Sequence, residues 1–442
     1  MSPRRYGSFA GGIDLPDEKL GTLDEPIRAP VRLERLRIPL PGRSLAEVRL
    51  SVRPGQYVSA GQLLASPAGA GGLAVHAPYA GKAGGLCVVQ TAGSDGFAPS
   101  AALELLEPAD PPALHALSPV FDWRAADRAT LLARIAEGAV PLHDGRGGSL
   151  SRFVERAQQA NCHTLVANAL ESQPYLTADH RLLVEHGADV IRGLAILARA
   201  IGAREVILAA DRRRTGEYRE LVGPARMYQI ARVALPHKYP VGAANVLVKV
   251  LTGREVPPGG SALGLGVAVV DPATCFAAYR WTACGVAPSA RVVTLAGERL
   301  KIRGNFWVPV GASVAELTGG TDGPVLHGGP MTGLRCPPDA VVTAATGALL
   351  AINAAQAAPS TPCIRCGWCT DHCPARLNVA VLNDVFELGL VQRARRMGVA
   401  ACVECGVCSY VCPSRLPLSQ RVRQLRRAVT DLNDAMPLFA ES

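Results

Sequence analysis

The placement of cysteine constrains this chain more than any other feature. Cys363-Ile-Arg-Cys366-Gly-Trp-Cys369-Thr-Asp-His-Cys373-Pro374 reads C-x₂-C-x₂-C-x₃-C-P, and Cys402-Val-Glu-Cys405-Gly-Val-Cys408-Ser-Tyr-Val-Cys412-Pro413 repeats that spacing. Three thiolates separated by two residues can wrap the irons of one cubane from a tight loop. The fourth, followed by proline, leaves on a redirected chain and reaches the neighbouring cluster. By that rule Cys363, Cys366, Cys369 and Cys412 hold one [4Fe-4S] cluster, and Cys402, Cys405, Cys408 and Cys373 hold the other. Gly367 and Gly406 let backbone amides approach cluster sulfur. Two structural zinc sites would use two C-x₂-C pairs each, leaving a third cysteine and the C-P ending unexplained. Disulfides fit less well, because four cysteines so close in sequence pair poorly. His372 lies inside a motif that already supplies four thiols. The scattered Cys87, Cys162, Cys275, Cys284 and Cys336 read as small buried residues.

At 442 residues the chain is too long for one ordinary core. A content of 48% hydrophobic and 19% charged residues belongs to a folded protein rather than a disordered one. The net charge of +9 is spread over scattered arginines, with no basic patch of the kind that nucleic-acid binding requires. The first residues lack the apolar core of a signal peptide. The longest uncharged run, residues 340–358, is too rich in alanine and threonine for a membrane helix. A cytoplasmic chain that does not itself span a membrane is expected.

Between the motifs, residues 378–397 carry apolar side chains at helical spacing, as do residues 416–436. The cluster domain should therefore be helical. Near the front, Val52-Arg-Pro-Gly55-Gln-Tyr-Val58 and Val75-His-Ala-Pro78-Tyr-Ala-Gly81-Lys82 alternate short strands with glycine turns. They resemble the biotinyl/lipoyl hammerhead, a flattened β-barrel. The hairpin tip, residues 66–73, has no lysine and Lys82 falls after it, so a structural barrel is expected and not a swinging arm. Residues 127–286 alternate helix and strand, with a helix at 179–200 and buried strands at 205–210 and 263–270, which is an α/β layer. Gly145-Arg-Gly147-Gly148 precedes a helix at 150–159, where a phosphate could dock on amide N–H groups. It has neither a Walker lysine nor a G-x-G-x-x-G pattern. Residues 291–320 read as a small mixed domain with a β-hairpin.

In this order the pieces resemble the RnfC component of the Rnf-type (Rsx-type) membrane electron-transport complex. The likeness runs through Gly11-Gly-Ile-Asp-Leu-Pro-Asp-Glu-Lys19, Val75-His-Ala-Pro78, Pro174-Tyr-Leu-Thr-Ala-Asp179, Lys238-Tyr-Pro240, Leu251-Thr-Gly253, Val256-Pro-Pro-Gly-Gly260, Gly328-Gly-Pro-Met331 and both cysteine motifs. It implies a multidomain α/β protein with small β domains. The parts are a segment with a hammerhead-like barrel (1–125), a complex-I-flavoprotein-like α/β domain for FMN and NADH (126–288), a soluble-ligand-binding β-grasp domain and linker (289–358), and a helical two-cluster ferredoxin domain (359–442). It further implies a peripheral subunit on the cytoplasmic face of the bacterial inner membrane. There, with membrane partner subunits, electrons pass between NADH and ferredoxin or flavodoxin, coupled to ion movement.

The chain departs from that family in one expected pocket. The family's G-x-G-G-A-G-F-P flavin loop survives only as Gly145-Arg-Gly147-Gly148-Ser149-Leu150. Its E-C-E-P-Y is here Glu171-Ser172-Gln173-Pro174-Tyr175, and the paired glycines after Lys238-Tyr-Pro240 are reduced to Val241-Gly242-Ala243-Ala244. Gly147, Gly148, Glu171, Lys238 and Tyr239 remain as candidate flavin contacts. Two readings follow: a subunit that takes electrons from NADH, or an iron–sulfur conduit that has lost nucleotide chemistry. The missing glycines and second carboxylate should weaken NADH binding more than flavin binding.

Overall fold

The structure, a computed structural model, describes residues 7–29, 33–42, 45–69, 73–93, 96–109, 117–143, 147–353 and 359–435. Together they make a mixed α/β protein with four sheets. The described residues divide into two compact units. One draws on residues 1–16, 236–265 and 354–442, the other on 17–235 and 266–353.

In the second unit, an antiparallel sheet orders Arg35–Pro39, Gly96–Leu106, Gly81–Gly93 and Tyr57–Val58, and a three-stranded sheet joins Val48–Leu50, Leu63–Pro67 and Val75–His76. Leu36, Ile38, Val58, Leu64, Leu103 and Leu105 fill the core of this region, which continues into Val293, Leu295, Phe306, Val308 and Leu349. Lys82 is exposed in the long strand, opposite Tyr57 and Leu106. Part of the expected hairpin tip, residues 70–72, lies outside the described residues.

The α/β part of this unit is built on a parallel sheet ordered Ala231–Leu235, Glu205–Asp211, Thr164–Ala169, Val267–Val270. Its central strands are buried almost throughout, as a sheet covered on both faces must be. Helices begin where a side chain can take an orphan amide. Asp127 caps Arg128–Glu137, Ser149 caps Leu150–Gln159, and Asp271 caps Pro272–Thr282. The long helix Ala178–Ile201 kinks at His186 and ends on the left-handed Gly202. The strand expected over 263–270 is shorter than its apolar run. Ala262–Leu265 is a 3₁₀ turn, and only Val267–Val270 pairs. A hairpin of Ala290–Ala296 and Gly304–Pro309 stands where the pattern at 292–310 places one, inside a six-stranded sheet. The uncharged run 340–358 supplies the buried strand Ala348–Leu350, and its residues 354–358 lie outside the described residues. No helix among the described residues is long and apolar enough to cross a membrane.

The first unit is helical around the cysteines. Trp368–Asp371, Val379–Glu387, Val391–Arg396, Val407–Tyr410 and Leu418–Ala435 pack on Leu377, Leu382, Val385, Val399, Leu416, Val422 and Leu425. The single helix expected over 378–397 is two, because the chain turns at Leu388–Leu390 with Gly389 in the left-handed region.

Candidate metal centre

The two cysteine motifs share a backbone as well as a spacing. Arg365 and Glu404 both have φ 55°, Gly367 and Gly406 have φ 84° and 80°, and Arg376 and Arg415 have φ 55° and 54°. Each glycine opens a four-residue helix, Trp368–Asp371 or Val407–Tyr410, that carries the third cysteine. Left-handed backbone at a non-glycine residue costs free energy, so its recurrence at equivalent places marks a loop held in shape by its surroundings. The loops aim amides at sulfur: Leu377 N–H donates to Cys373 Sγ and Glu404 N–H to Cys402 Sγ, both at 3.4 Å.

The eight thiols are sorted into two groups. Cys363, Cys366, Cys369 and Cys412 line one cavity. Burial raises the Cys369 thiol, and the nearby Cys412, Cys366 and Cys363 add to that. In the second group, burial pushes Cys402 up to about 11, with Cys373 contributing, and pushes Cys405 up to about 12, with Cys402 and Cys373 contributing. Cys408 is raised by burial and by Cys405, Cys402 and Cys373. Each trio therefore has the fourth cysteine of the other motif for its neighbour. Among the described residues no three His, Cys, Asp or Glu side chains close on a single metal ion. A cubane differs in binding its four thiolates at separate corners.

The two groups differ in cover. In the first group Cys363 and Cys366 are exposed, Cys412 is half-buried and Cys369 buried, whereas in the second Cys402, Cys405, Cys408 and Cys373 are all half-buried and none is exposed. Tyr239 Oη donates to the Cys405 carbonyl at 2.6 Å, and Glu404 receives Arg426 at 2.6 Å. Residues 7–16 brace the same group. Gly12 N–H donates to the His372 carbonyl at 2.9 Å, and Ile13 and Tyr239 exchange backbone hydrogen bonds of 2.9 Å each. A Cβ on Gly11 would lie 2.6 Å from that carbonyl and 2.7 Å from Cys373, so only glycine admits this approach. In the sequence, the Gly-Gly-Ile stretch is legible only as part of a family likeness. Its contact with the cysteine loop is not.

The residues expected to contact flavin have separate engagements. Gly147 and Gly148 have positive φ, and nothing stands within 4 Å of a Cβ on Gly147. The preceding Gly145 and Arg146 lie outside the described residues. Ser149 caps the helix that follows. Glu171 is occupied: its two carboxylate oxygens accept from Asp179 N–H and His180 N–H, both at 2.9 Å, closing the start of the long helix. Lys19 Nζ donates to the Glu171 carbonyl at 2.6 Å. Burial lowers the Lys19 pKa and raises that of Asp179 well above its ordinary value, with Glu171 adding to the latter. Gln173, where the family carries a carboxylate, binds Thr332 Oγ1 at 2.9 Å and Met331 N–H at 3.2 Å. Lys238 and Tyr239 belong to the first unit, where Lys238 Nζ donates to the Phe9 carbonyl at 3.0 Å. Glu171, Lys238 and Tyr239 are thus bonded within their own units, and the Gly148 carbonyl accepts from Leu142 N–H at 2.9 Å.

Family models match three stretches of the chain: an RnfC barrel sandwich hybrid domain over 7–97, a Nuo51 FMN-binding domain over 145–280 and a 4Fe-4S dicluster domain over 357–413. The C component of the ion-translocating oxidoreductase complex of Erwinia tasmaniensis is 34% identical over 433 residues, covering 95% of this chain and 53% of that protein. The chain belongs to the RnfC family. The corresponding component from Salmonella arizonae is 34% identical over 84% of this chain and 56% of its own length. The chain thus spans about half the length of the curated RnfC proteins it matches. A solved NAD⁺-reducing [NiFe]-hydrogenase in the air-oxidized state aligns with 70% of the chain and 67% of its own, at 16% identity and a TM-score of 0.45. In this RnfC chain the dicluster match falls on the two cysteine motifs, and the FMN-domain match falls on the region where Glu171 serves as a helix cap.

Proposed function

We propose that this RnfC chain relays electrons through two [4Fe-4S] clusters within an Rnf-like membrane complex. Cys363, Cys366, Cys369 and Cys412 would hold one cluster, and Cys402, Cys405, Cys408 and Cys373 the other. The observation that carries this reading is the cavity lined together by Cys363, Cys366, Cys369 and Cys412, with Cys373 left beside the trio of the second motif. When bound, the clusters supply one-electron transfer. The chain's residues supply thiolate ligands, amides directed at sulfur and, for the second group, cover from Tyr239 and residues 7–16.

The family's electrons run between NADH and ferredoxin or flavodoxin. Here we favour the conduit reading, in which the protein receives electrons from another protein, because Glu171 and Gln173 are engaged by the fold. The barrel is read as hammerhead-like, residues 289–358 as a β-grasp domain with its linker, 126–288 as the flavoprotein-like domain and 359–442 as the ferredoxin domain. Attachment is read as peripheral, at the cytoplasmic face of the inner membrane, through partner subunits. Anaerobically purified protein tests the whole: about eight irons with matching sulfide are expected, with little flavin and no bleaching by NADH. Zinc in place of iron would overturn the relay. Stoichiometric flavin bleached rapidly by NADH would overturn the conduit reading and restore NADH as donor. Release from membranes by salt without detergent supports the peripheral assignment, and a detergent requirement when expressed alone refutes it.

A further inference from the structure

The two cysteine loops have the same backbone, so a difference in their surroundings is informative. At equivalent positions, Ile364 is 65% exposed while Val403 is half-buried, and Trp368 is 52% exposed while Val407 is fully buried. Thr361, Pro362, Arg365 and the ligand candidates Cys363 and Cys366 are exposed with them. The described chain that crosses the cysteine loops, residues 7–16 and 236–265, lies against Cys373 and Cys405, both in the second group. The first group has a protein wall on its inner side, formed by Ala380, Leu416 and Leu418, and an open rim at Ile364 and Trp368.

Resting on the two-cluster reading, we propose that this rim is where a one-electron carrier protein docks, and that the Cys402–Cys405–Cys408–Cys373 group is an interior relay. Solvent-exposed indole and aliphatic side chains beside exposed ligand cysteines give a small apolar patch. Transient electron-transfer encounters use small patches and are short-lived. Trp368 is the side chain best suited to anchor it, with a large apolar surface and few rotatable bonds. Arg365, paired with Asp384 at 3.1 Å, sits at the edge. In each encounter one electron crosses the rim. The carrier is oxidised by one electron as the Cys363–Cys366–Cys369–Cys412 site is reduced by one, or the reverse, and no atom or proton need be exchanged.

The test uses the full chain, purified anaerobically, with Cys412→Ala and Cys373→Ala assigning the paramagnetic resonance signals to the two groups. A soluble dysprosium chelate, which relaxes the nearer centre, should act first on the signal lost in Cys412→Ala. With a purified reduced two-cluster ferredoxin as probe, Trp368→Glu and Ile364→Glu should each slow reduction about tenfold. Iron content and the rate with reduced methyl viologen should hold. Tyr410→Glu, an exposed aromatic on the second loop's helix, should match the parent. Preferential relaxation of the interior signal, no exchange with the ferredoxin, or a rate indifferent to both rim variants overturns the proposal. Absence of both signals and of iron from the parent protein instead overturns the two-cluster reading beneath it.

Discussion

The cysteine loops and the Glu171 region both carry residues whose types promise chemistry, yet the fold treats them differently. Around the loops, eight thiols are gathered and the backbone is held in left-handed turns, two of which open the short helices that carry Cys369 and Cys408. Around Glu171, the carboxylate, Gln173 and Lys19 are taken up by backbone amides, carbonyls and a threonine of the same unit. A polar side chain spent on its own backbone adds to stability and is withdrawn from ligand binding. The two regions therefore predict opposite outcomes on mutation: loss of a bound group in the first, loss of stability in the second.

The largest expected effect is in the loops. Cys412→Ala should abolish the cluster that the first motif's trio holds, and Cys373→Ala the one held by the second motif's trio. Each should lose about four irons with matching sulfide. Iron analysis and resonance spectra of the two variants check this. If each variant instead lost the cluster of its own motif, the exchange of ligands would be wrong.

Glu171→Ala sharpens the contrast from the other side. It removes two charge-assisted hydrogen bonds at a helix N-terminus, so a loss of about 2 kcal/mol is expected. Denaturant unfolding monitored on the second unit reads it, with iron content unchanged. An unaltered midpoint with a loss of bound flavin would mean that the carboxylate is a ligand after all.

Legibility in the sequence follows the same division. A spacing such as C-x₂-C-x₂-C-x₃-C-P is a local geometric statement, so the motifs and their pairing can be read without knowing the fold. The strand at 205–211 and the helix at 178–201 are legible because long apolar runs and clear periodicity outweigh context. The role of Glu171 is not legible. Its partners, the amides of Asp179 and His180, are defined only once the helix start is fixed. The break at Leu388–Leu390 is hidden because both flanking segments keep apolar residues at helical spacing. The sequence offers Tyr239 as a flavin contact, whereas its hydroxyl meets a cysteine-loop carbonyl 166 residues onward. No local pattern encodes that contact.

Acid should discriminate between the regions as well. His180 is buried, its Nδ1 2.7 Å from Tyr218 Oη and its Nε2 3.0 Å from the Glu217 carboxylate, and its pKa is lowered to about 3 by burial first, then by Arg214, Arg181 and Lys19. A histidine with a depressed folded-state value binds its proton in the unfolded chain first. Its contribution is complete above the ordinary value of 6.5 and is lost as pH falls from there toward about 3. At pH 5 the loss from this group should reach about 2 kcal/mol. His180→Gln should flatten the stability profile of the second unit between those limits. A profile unchanged by the substitution would show that the folded imidazole takes up its proton as readily as the unfolded one, with Glu217 as its partner.

The smallest effect tests the cover over the second cysteine group. Tyr239→Phe keeps the ring, which is buried, and removes only the hydrogen bond to the Cys405 carbonyl. A neutral hydrogen bond of this kind contributes about 1 kcal/mol, and the orphaned carbonyl must then be served by water or left unpaired. The loop carrying Cys405 should open more often, so a chelator should remove iron faster from the group that Cys373→Ala disables. The exposed group, which has no bond to the Tyr239 hydroxyl, should keep its rate. The signature is thus a narrowing of the difference between a guarded site and an open one, not a general loss of iron. Equal acceleration at both groups would mean that Tyr239 supports the whole unit, and no acceleration would mean that residues 7–16 guard the loop without it.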